Sequence, residues 1–133
     1  MVSQRWKHSS TTVYNLGYHL IWCPKYRRKV LVEEVEIHLR QLLEEKAKEL
    51  CVEIINMEIM PDHVHLFVKG KPIHSPHWIV QQFKGYTSRI LRKEHKTLRS
   101  RLPTLWTRSY YVESVGHISE QTIRKYIAEQ KNK

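Results

Sequence analysis

Two histidines flank a single apolar residue in the stretch Pro61-Asp62-His63-Val64-His65-Leu66-Phe67-Val68. Side chains alternate faces along a strand, so His63 and His65 point one way and Val64, Leu66 and Val68 the other. Two neutral imidazoles side by side are ready ligands for a divalent metal. Asp62 is placed to orient one of them through a hydrogen bond from behind. Two imidazoles alone make a weak site, so a third ligand has to come from elsewhere. Without one, the pair reads as two polar residues on an exposed strand.

The far end of the chain offers a candidate. Ile123, Tyr126, Ile127 and Gln130 recur at helical spacing and share one stripe, with Tyr126 and Gln130 one turn apart. One reading is an amphipathic packing helix with a half-buried tyrosine. The other is a nucleophile, Tyr126, one turn from a metal-binding amide, Gln130, whose carbonyl oxygen suits Mg²⁺ or Mn²⁺. A phenol with a pKa of about 10 is a poor nucleophile until activated. A metal on a scissile phosphate would draw off charge and orient it for in-line attack. The product would be a phosphotyrosine, which a DNA 3′ hydroxyl could later displace. The bond is thereby kept for rejoining, whereas a simple nuclease discards it.

The cations point to the substrate class. The 133 residues hold 23 Lys plus Arg against 13 Asp plus Glu, a net charge of +10, and such a surface attracts polyanions. Lys25, Tyr26, Arg27 and Arg28 interleave an aromatic ring with phosphate-binding charges. Lys84, Arg89 and Arg92 lie on one predicted helix, and Arg89, Arg92 and Lys93 form a stripe that Lys96, Arg99 and Arg101 extend. Trp106, Arg108, Tyr110 and Tyr111 add further aromatics and charge. Any one of these reads equally as solvated charge or core packing; their density argues for nucleic acid. The histidines other than His63 and His65, His19 among them, have no tight partner spacing and read as structural or surface residues.

The elements that must hold these groups follow from patterning. Residues 13–23, rich in aromatic and β-branched side chains, read as a strand ended by Pro24. Residues 33–50 carry apolar side chains at helical spacing. Residues 52–60 and 63–69 read as strands of a hairpin broken at Pro61-Asp62. Ser75 and Pro76 are a helix start, and that helix runs to about His95 with Gly85 inside it. Residues 96–103 read as a basic loop, 109–115 as a fourth strand, and 121–130 as a last helix capped by Ser119, with Gly116 between them. The order is βαββαβ, then a helix carrying the tyrosine. This is an α+β, ferredoxin-like core with an antiparallel sheet, in one domain spanning residues 1–133. Val64, Leu66 and Val68 should face the helices, which aims His63 and His65 at the opposite face.

Composition excludes other classes. No apolar run approaches the ~20 residues that a membrane span needs, and the basic stretches do not form an interfacial helix. No secretory signal stands at the N-terminus, and Cys23 and Cys51 are far apart, so a reducing cytoplasm is the expected location.

Taken together the motifs resemble the single-tyrosine HUH-type transposases of small insertion sequences, in which HUH denotes histidine-hydrophobic-histidine. The resemblance spans nearly the whole chain. It includes Tyr18-His19-Leu20-Ile21-Trp22 leading to Pro24-Lys25-Tyr26-Arg27-Arg28, and His63-Val64-His65. It continues through Phe83-Lys84-Gly85 with Ser88-Arg89, Leu105-Trp106 with Ser109-Tyr110, Ser114-Val115-Gly116, and Lys125-Tyr126-Ile127-Ala128-Glu129-Gln130. It implies a homodimer that cuts single-stranded DNA at hairpin-marked element ends and leaves a 5′-phosphotyrosine and a free 3′ hydroxyl. By position, Tyr126 is the nucleophile and His63, His65 and Gln130 bind Mg²⁺ or Mn²⁺. Gly116 is a hinge that would let the tyrosine helix complete the partner subunit's site. Three alternatives stay open: a non-catalytic single-strand-binding module, a metal-dependent nuclease with a structural Tyr126, and a domesticated relative processing host repeats.

Overall fold

A computed structural model describes residues 7–8 and 13–115. A short antiparallel pair, β1 (Lys7–His8) and β2 (Val13–Tyr14), precedes the main body. There follow β3 (Leu16–Trp22), a single 3-10 turn at Lys25–Arg27, α1 (Glu33–Leu50), β4 (Glu53–Met60) and β5 (His63–Gly70). The remaining elements are α2 (Pro76–Glu94), α3 (Lys96–Arg101) and β6 (Tyr111–Val115). The four long strands form one antiparallel sheet in the order β4-β5-β3-β6. The first and third strands of the βαββαβ unit are therefore central, as the ferredoxin-like pattern requires.

One sheet face is covered by α1 and α2. Leu20 and Trp22 of β3 and Val64, Leu66 and Val68 of β5 meet Leu39, Leu42 and Leu43 of α1 and Ile79, Val80 and Phe83 of α2 in a single buried cluster. Phe67, one residue out of phase, belongs to a separate small cluster with Ile55 and Val115 on the other face. The alternation of β5 thus divides its side chains between the core and the site.

Local chemistry explains the helix ends. Ser75 caps α2 by accepting from the Trp78 amide at 3.0 Å, and Pro76 stands at the first helical position. In α1 no side chain caps the start, but Glu33, Glu34 and Glu36 oppose the positive end of the helix dipole. Cys51 ends α1 in the left-handed conformation at φ 56°, and its amide reaches back to the carbonyls of Ala47 and Lys48.

Three boundaries differ from the sequence-based expectation. The first strand splits at Asn15, because Val13 and Tyr14 pair with β1 rather than with the main sheet. Residues 96–101 are helical instead of a loop: Leu98 and Leu102, four apart, are both buried and hold that turn onto the core. The last strand starts at Tyr111 rather than Ser109, because the carbonyls of residues 107–109 are taken by the Lys84 side chain. The helix expected at 121–130 lies outside the described residues. Among the described residues, no helix is long and apolar enough to cross a membrane.

The segment between α3 and β6 is locked to the exit of β3. Pro24 forms an antiparallel bridge with Trp106, the Lys25 amide donates to Leu105 O at 2.8 Å, and the Thr107 amide to Cys23 O at 3.0 Å. Trp106 Nε1 donates to Thr87 Oγ1 at 3.0 Å, and that buried hydroxyl donates to Phe83 O at 2.7 Å. Replacing Thr87 by Val keeps the shape but strands the indole N–H. The expected loss is about 1–3 kcal/mol of unfolding free energy in urea titrations followed by circular dichroism.

Candidate metal and nucleic-acid site

His63 opens β5 immediately after the two-residue turn Pro61-Asp62, opposite Met60 of β4. His65 lies opposite Ile21 of β3 and Glu58 of β4, so it is in the middle of the sheet. The two rings stand side by side, with centroids 4.6 Å apart and planes inclined at 57°. His63 is partly buried and His65 almost fully so.

Each imidazole is held through its Nδ1. Asp62 Oδ1 lies 2.7 Å from His63 Nδ1, while Asp62 Oδ2 accepts from Arg27 at 3.1 Å. Burial pushes the Asp62 carboxyl up, but the hydrogen bond and charge of His63, together with Arg27, outweigh it and hold the carboxyl below its ordinary range. His65 Nδ1 lies 3.4 Å from Nε2 of His19, a fully buried residue of β3. With Nδ1 so engaged in both rings, metal coordination by either would run through Nε2.

His19 is the residue that sequence spacing missed. It is 46 positions from His65, and no local pattern pairs them. The period-2 alternation with Leu20 and Trp22 does place His19 on the face opposite the helices, and the pairing of β3 with β5 then brings it beside His65. Burial lowers its pKa, and the nearby carboxylates of Glu113 and Glu58 pull it partly back. Tyr111 stands edge-on to it at 6.2 Å and donates to Glu113 at 2.6 Å. Among the described residues, no three His, Cys, Asp or Glu side chains converge on a common metal position. A chelate built on His63 and His65 therefore takes its further ligand from another residue type or another part of the chain. Gln130, Tyr126 and the expected hinge Gly116 lie outside the described residues.

The basic segment at the end of β3 adjoins this pair through Arg27. Tyr26 and Arg27 both adopt left-handed backbone conformations, at φ 60° and φ 50°. Such a conformation costs a non-glycine residue about 1–3 kcal/mol. Tyr26 is held 63% exposed, with Lys25 Nζ 5.4 Å and the Arg28 guanidinium 6.0 Å from its ring centroid. An aromatic face kept in solvent between cations, at a cost in backbone energy, offers a stacking platform.

The cations of α2 divide. Arg89 is exposed, with its guanidinium 5.8 Å from the Tyr86 ring centroid. Arg92 is half-buried and donates to Leu102 O at 2.9 Å. Lys84 is turned inward, against the expectation of a surface phosphate contact. It is 7% exposed, its ammonium reaches Thr107 O at 2.6 Å and the carbonyls of Arg108 and Ser109 at 3.4 Å, and burial lowers its pKa. Helical spacing cannot tell a cation that faces phosphate from one that gathers loop carbonyls.

Comparison with known proteins fits this arrangement. Residues 12–130 match the family described as "Transposase IS200 like". The ISDra2 transposase TnpA of Deinococcus radiodurans is 40% identical over 123 residues, covering 91% of this chain and 88% of that protein. The transposase for insertion sequence element IS200 of Salmonella typhimurium is 29% identical, covering 93% and 82%. A crystal structure assigned as a transposase from D. radiodurans R1 superposes with a TM-score of 0.76 at 36% identity, covering 93% of this chain and 97% of that one. A REP-associated tyrosine transposase bound to a REP hairpin shares the fold at a TM-score of 0.59 and 14% identity, covering 83% and 61%. The four-stranded sheet with its helices is the fold of a transposase. The chain belongs to the IS200-like transposase family.

Lys84 and Arg89 separate structural from surface charge. Lys84→Met removes a donor from three carbonyls and should cost about 1–3 kcal/mol of stability. Arg89→Ala, on the surface, should stay within about 0.5 kcal/mol of the parent in the same urea titration.

Proposed function

We propose that this transposase is a metal-dependent DNA-strand transferase, which cleaves and rejoins single-stranded DNA at hairpin-marked ends through a 5′-phosphotyrosine at Tyr126. The observation that carries the reading is the imidazole pair. His63 and His65 are 4.6 Å apart, each with Nδ1 engaged by a group behind it, and the exposed Tyr26 segment is joined to His63 through Arg27 and Asp62.

The donor set fits a divalent cation. Two imidazoles held for coordination through Nε2, completed by the amide oxygen of Gln130, suit Mn²⁺ and are acceptable to Mg²⁺. A metal bound there would supply Lewis-acid polarisation of the scissile phosphate. The chain's own residues do the rest. The Tyr126 oxygen forms a bond to phosphorus as the bond to the upstream 3′ oxygen breaks, and that oxygen leaves as a free 3′ hydroxyl. The phenol proton is lost to water, and the leaving 3′ oxygen takes a proton from water. In rejoining, a 3′ hydroxyl attacks the same phosphorus and releases Tyr126. Phosphotyrosine keeps the energy of the broken bond, so strand transfer needs no other energy source.

Substrate binding rests on the exposed cations and rings. Lys25, Arg27 and Arg28 would contact phosphates while Tyr26 stacks on a base; Arg89 and the outer part of Arg92 extend the basic surface along α2. A protein with this fold is known with a REP hairpin bound, so the scaffold is compatible with such a ligand. The acting unit is a homodimer, and with Gly116 as a hinge the segment that carries Tyr126 would be able to complete the site of its own subunit or of the other.

The test is denaturing electrophoresis of the protein with labelled single-stranded hairpin DNA from the sequence flanking its gene, in Mn²⁺ or Mg²⁺. The parent should give a covalent protein–DNA band. Tyr126→Phe should lose that band while still shifting the hairpin on a native gel, and His65→Ala should lose metal-dependent cleavage. An adduct that persists in the Tyr126→Phe variant would refute the nucleophile. Tyr26→Gly separates binding from folding: glycine relieves the left-handed strain, so thermal stability should hold or rise. Single-strand affinity should fall by about 1–3 kcal/mol, as loss of one stacked base would produce.

A further inference from the structure

His19 has no role in the chemistry above, yet it is fully buried and its Nε2 lies 3.4 Å from Nδ1 of His65. A neutral imidazole carries one hydrogen, and the nitrogen without it is the one that can bind a metal. In water the hydrogen of neutral histidine prefers Nε2. For His63 and His65 that is the wrong nitrogen, because both must coordinate through Nε2 if Nδ1 points to a partner.

For His63 the difficulty is removed by Asp62, whose carboxylate can only accept and so draws the hydrogen to Nδ1. At the Nδ1 of His65 stands Nε2 of His19. We infer that His19 is the positioning residue of His65: its Nε2 accepts the Nδ1 hydrogen of His65, which commits the opposite nitrogen of that ring to the metal. This rests on the metal site proposed above.

The geometry favours positioning over ligation. The His19 and His65 centroids are 5.5 Å apart, against 4.6 Å between His63 and His65. The Nε2 of His19 is directed at an imidazole nitrogen, and no three-residue metal cluster of His, Cys, Asp or Glu exists among the described residues. The support is also rigid. Leu20 and Trp22, both on the opposite face, anchor β3 in the core, and His19 is set between Phe67 of β5 and Glu113 of β6 by the register. A separation of 3.4 Å is long for a hydrogen bond, as such contacts often are before substrate arrives. The two metal-binding histidines are thus held by unlike devices, a carboxylate on the rim and a neutral imidazole in the interior. A carboxylate at the interior position would bring a full charge into a buried place.

The experiment compares the parent with His19→Leu and His19→Gln. The tautomer of His65 is read in metal-free protein from long-range ¹H–¹⁵N correlations. Mn²⁺ affinity is read separately from the electron paramagnetic resonance signal of free Mn²⁺. The parent should show His65 with its hydrogen on Nδ1. His19→Leu should move that hydrogen to Nε2 and weaken Mn²⁺ binding by about 10–100-fold. His19→Gln, whose amide oxygen also accepts, should recover most of the affinity. A parent protein that binds no Mn²⁺ would overturn the metal site itself. A parent that binds Mn²⁺ but carries the Nε2 hydrogen on His65 would overturn the role of His19, and so would a folded His19→Leu protein with parental affinity. The parent tautomer decides the question even if His19→Leu fails to fold.

Discussion

The two-residue alternation of β5 is the constraint on which the rest of the molecule depends. Val64, Leu66 and Val68 are fully buried beneath α1 and α2, and they cannot move without opening the core. Because a strand presents successive side chains to opposite faces, fixing those three fixes His63 and His65 on the other face. A slip of one residue would put two imidazoles into the apolar core and three aliphatic side chains on the site. The large free-energy cost of such a slip is what places the histidines accurately. The position of β5 between β3 and β4 adds to this, since both of its edges are hydrogen-bonded.

From β5 the order spreads through Asp62. That carboxylate joins His63, on the sheet, to Arg27, in the basic segment after β3. The segment is itself bridged through Pro24 to Trp106, whose indole is anchored on Thr87 of α2. A chain of short polar contacts therefore links the histidine pair, the exposed Tyr26 and the second helix. Individually such contacts contribute on the order of 1 kcal/mol. Their effect here is geometric: they fix where the cations stand relative to the imidazoles.

Much of this was legible in the sequence because it is written in local patterns. The period-3.6 run of α1, the Ser75-Pro76 start of α2 and the alternation of β5 each place an element to within a residue or so. Tertiary partners were not legible. His19 becomes part of the site only through strand pairing, Lys84 leaves the surface because three carbonyls need a donor, and residues 96–101 become helical because Leu98 and Leu102 find the core. In each case the local pattern permits two outcomes, and a residue distant in sequence decides between them. The proposed nucleophile and third ligand, Tyr126 and Gln130, were named from helical spacing and resemblance and fall outside the described residues.

The division of charge within α2 bears on how a small basic protein distinguishes folding from binding. Net charge of +10 on 133 residues works against compactness through self-repulsion. Part of that charge is absorbed internally: Lys84 and Arg92 hold the carbonyls of the segments that lead into and out of Trp106. Those cations stabilise the fold in place of backbone partners that irregular segments lack. Other cations stay outside, among them Arg89 on α2 and Arg27 and Arg28 beside Tyr26. The strained Tyr26 belongs to the second group. Its left-handed backbone closes a turn in which the Arg27 amide donates to Pro24 O at 2.8 Å, and its ring stays mostly in solvent, where a stacking partner can reach it.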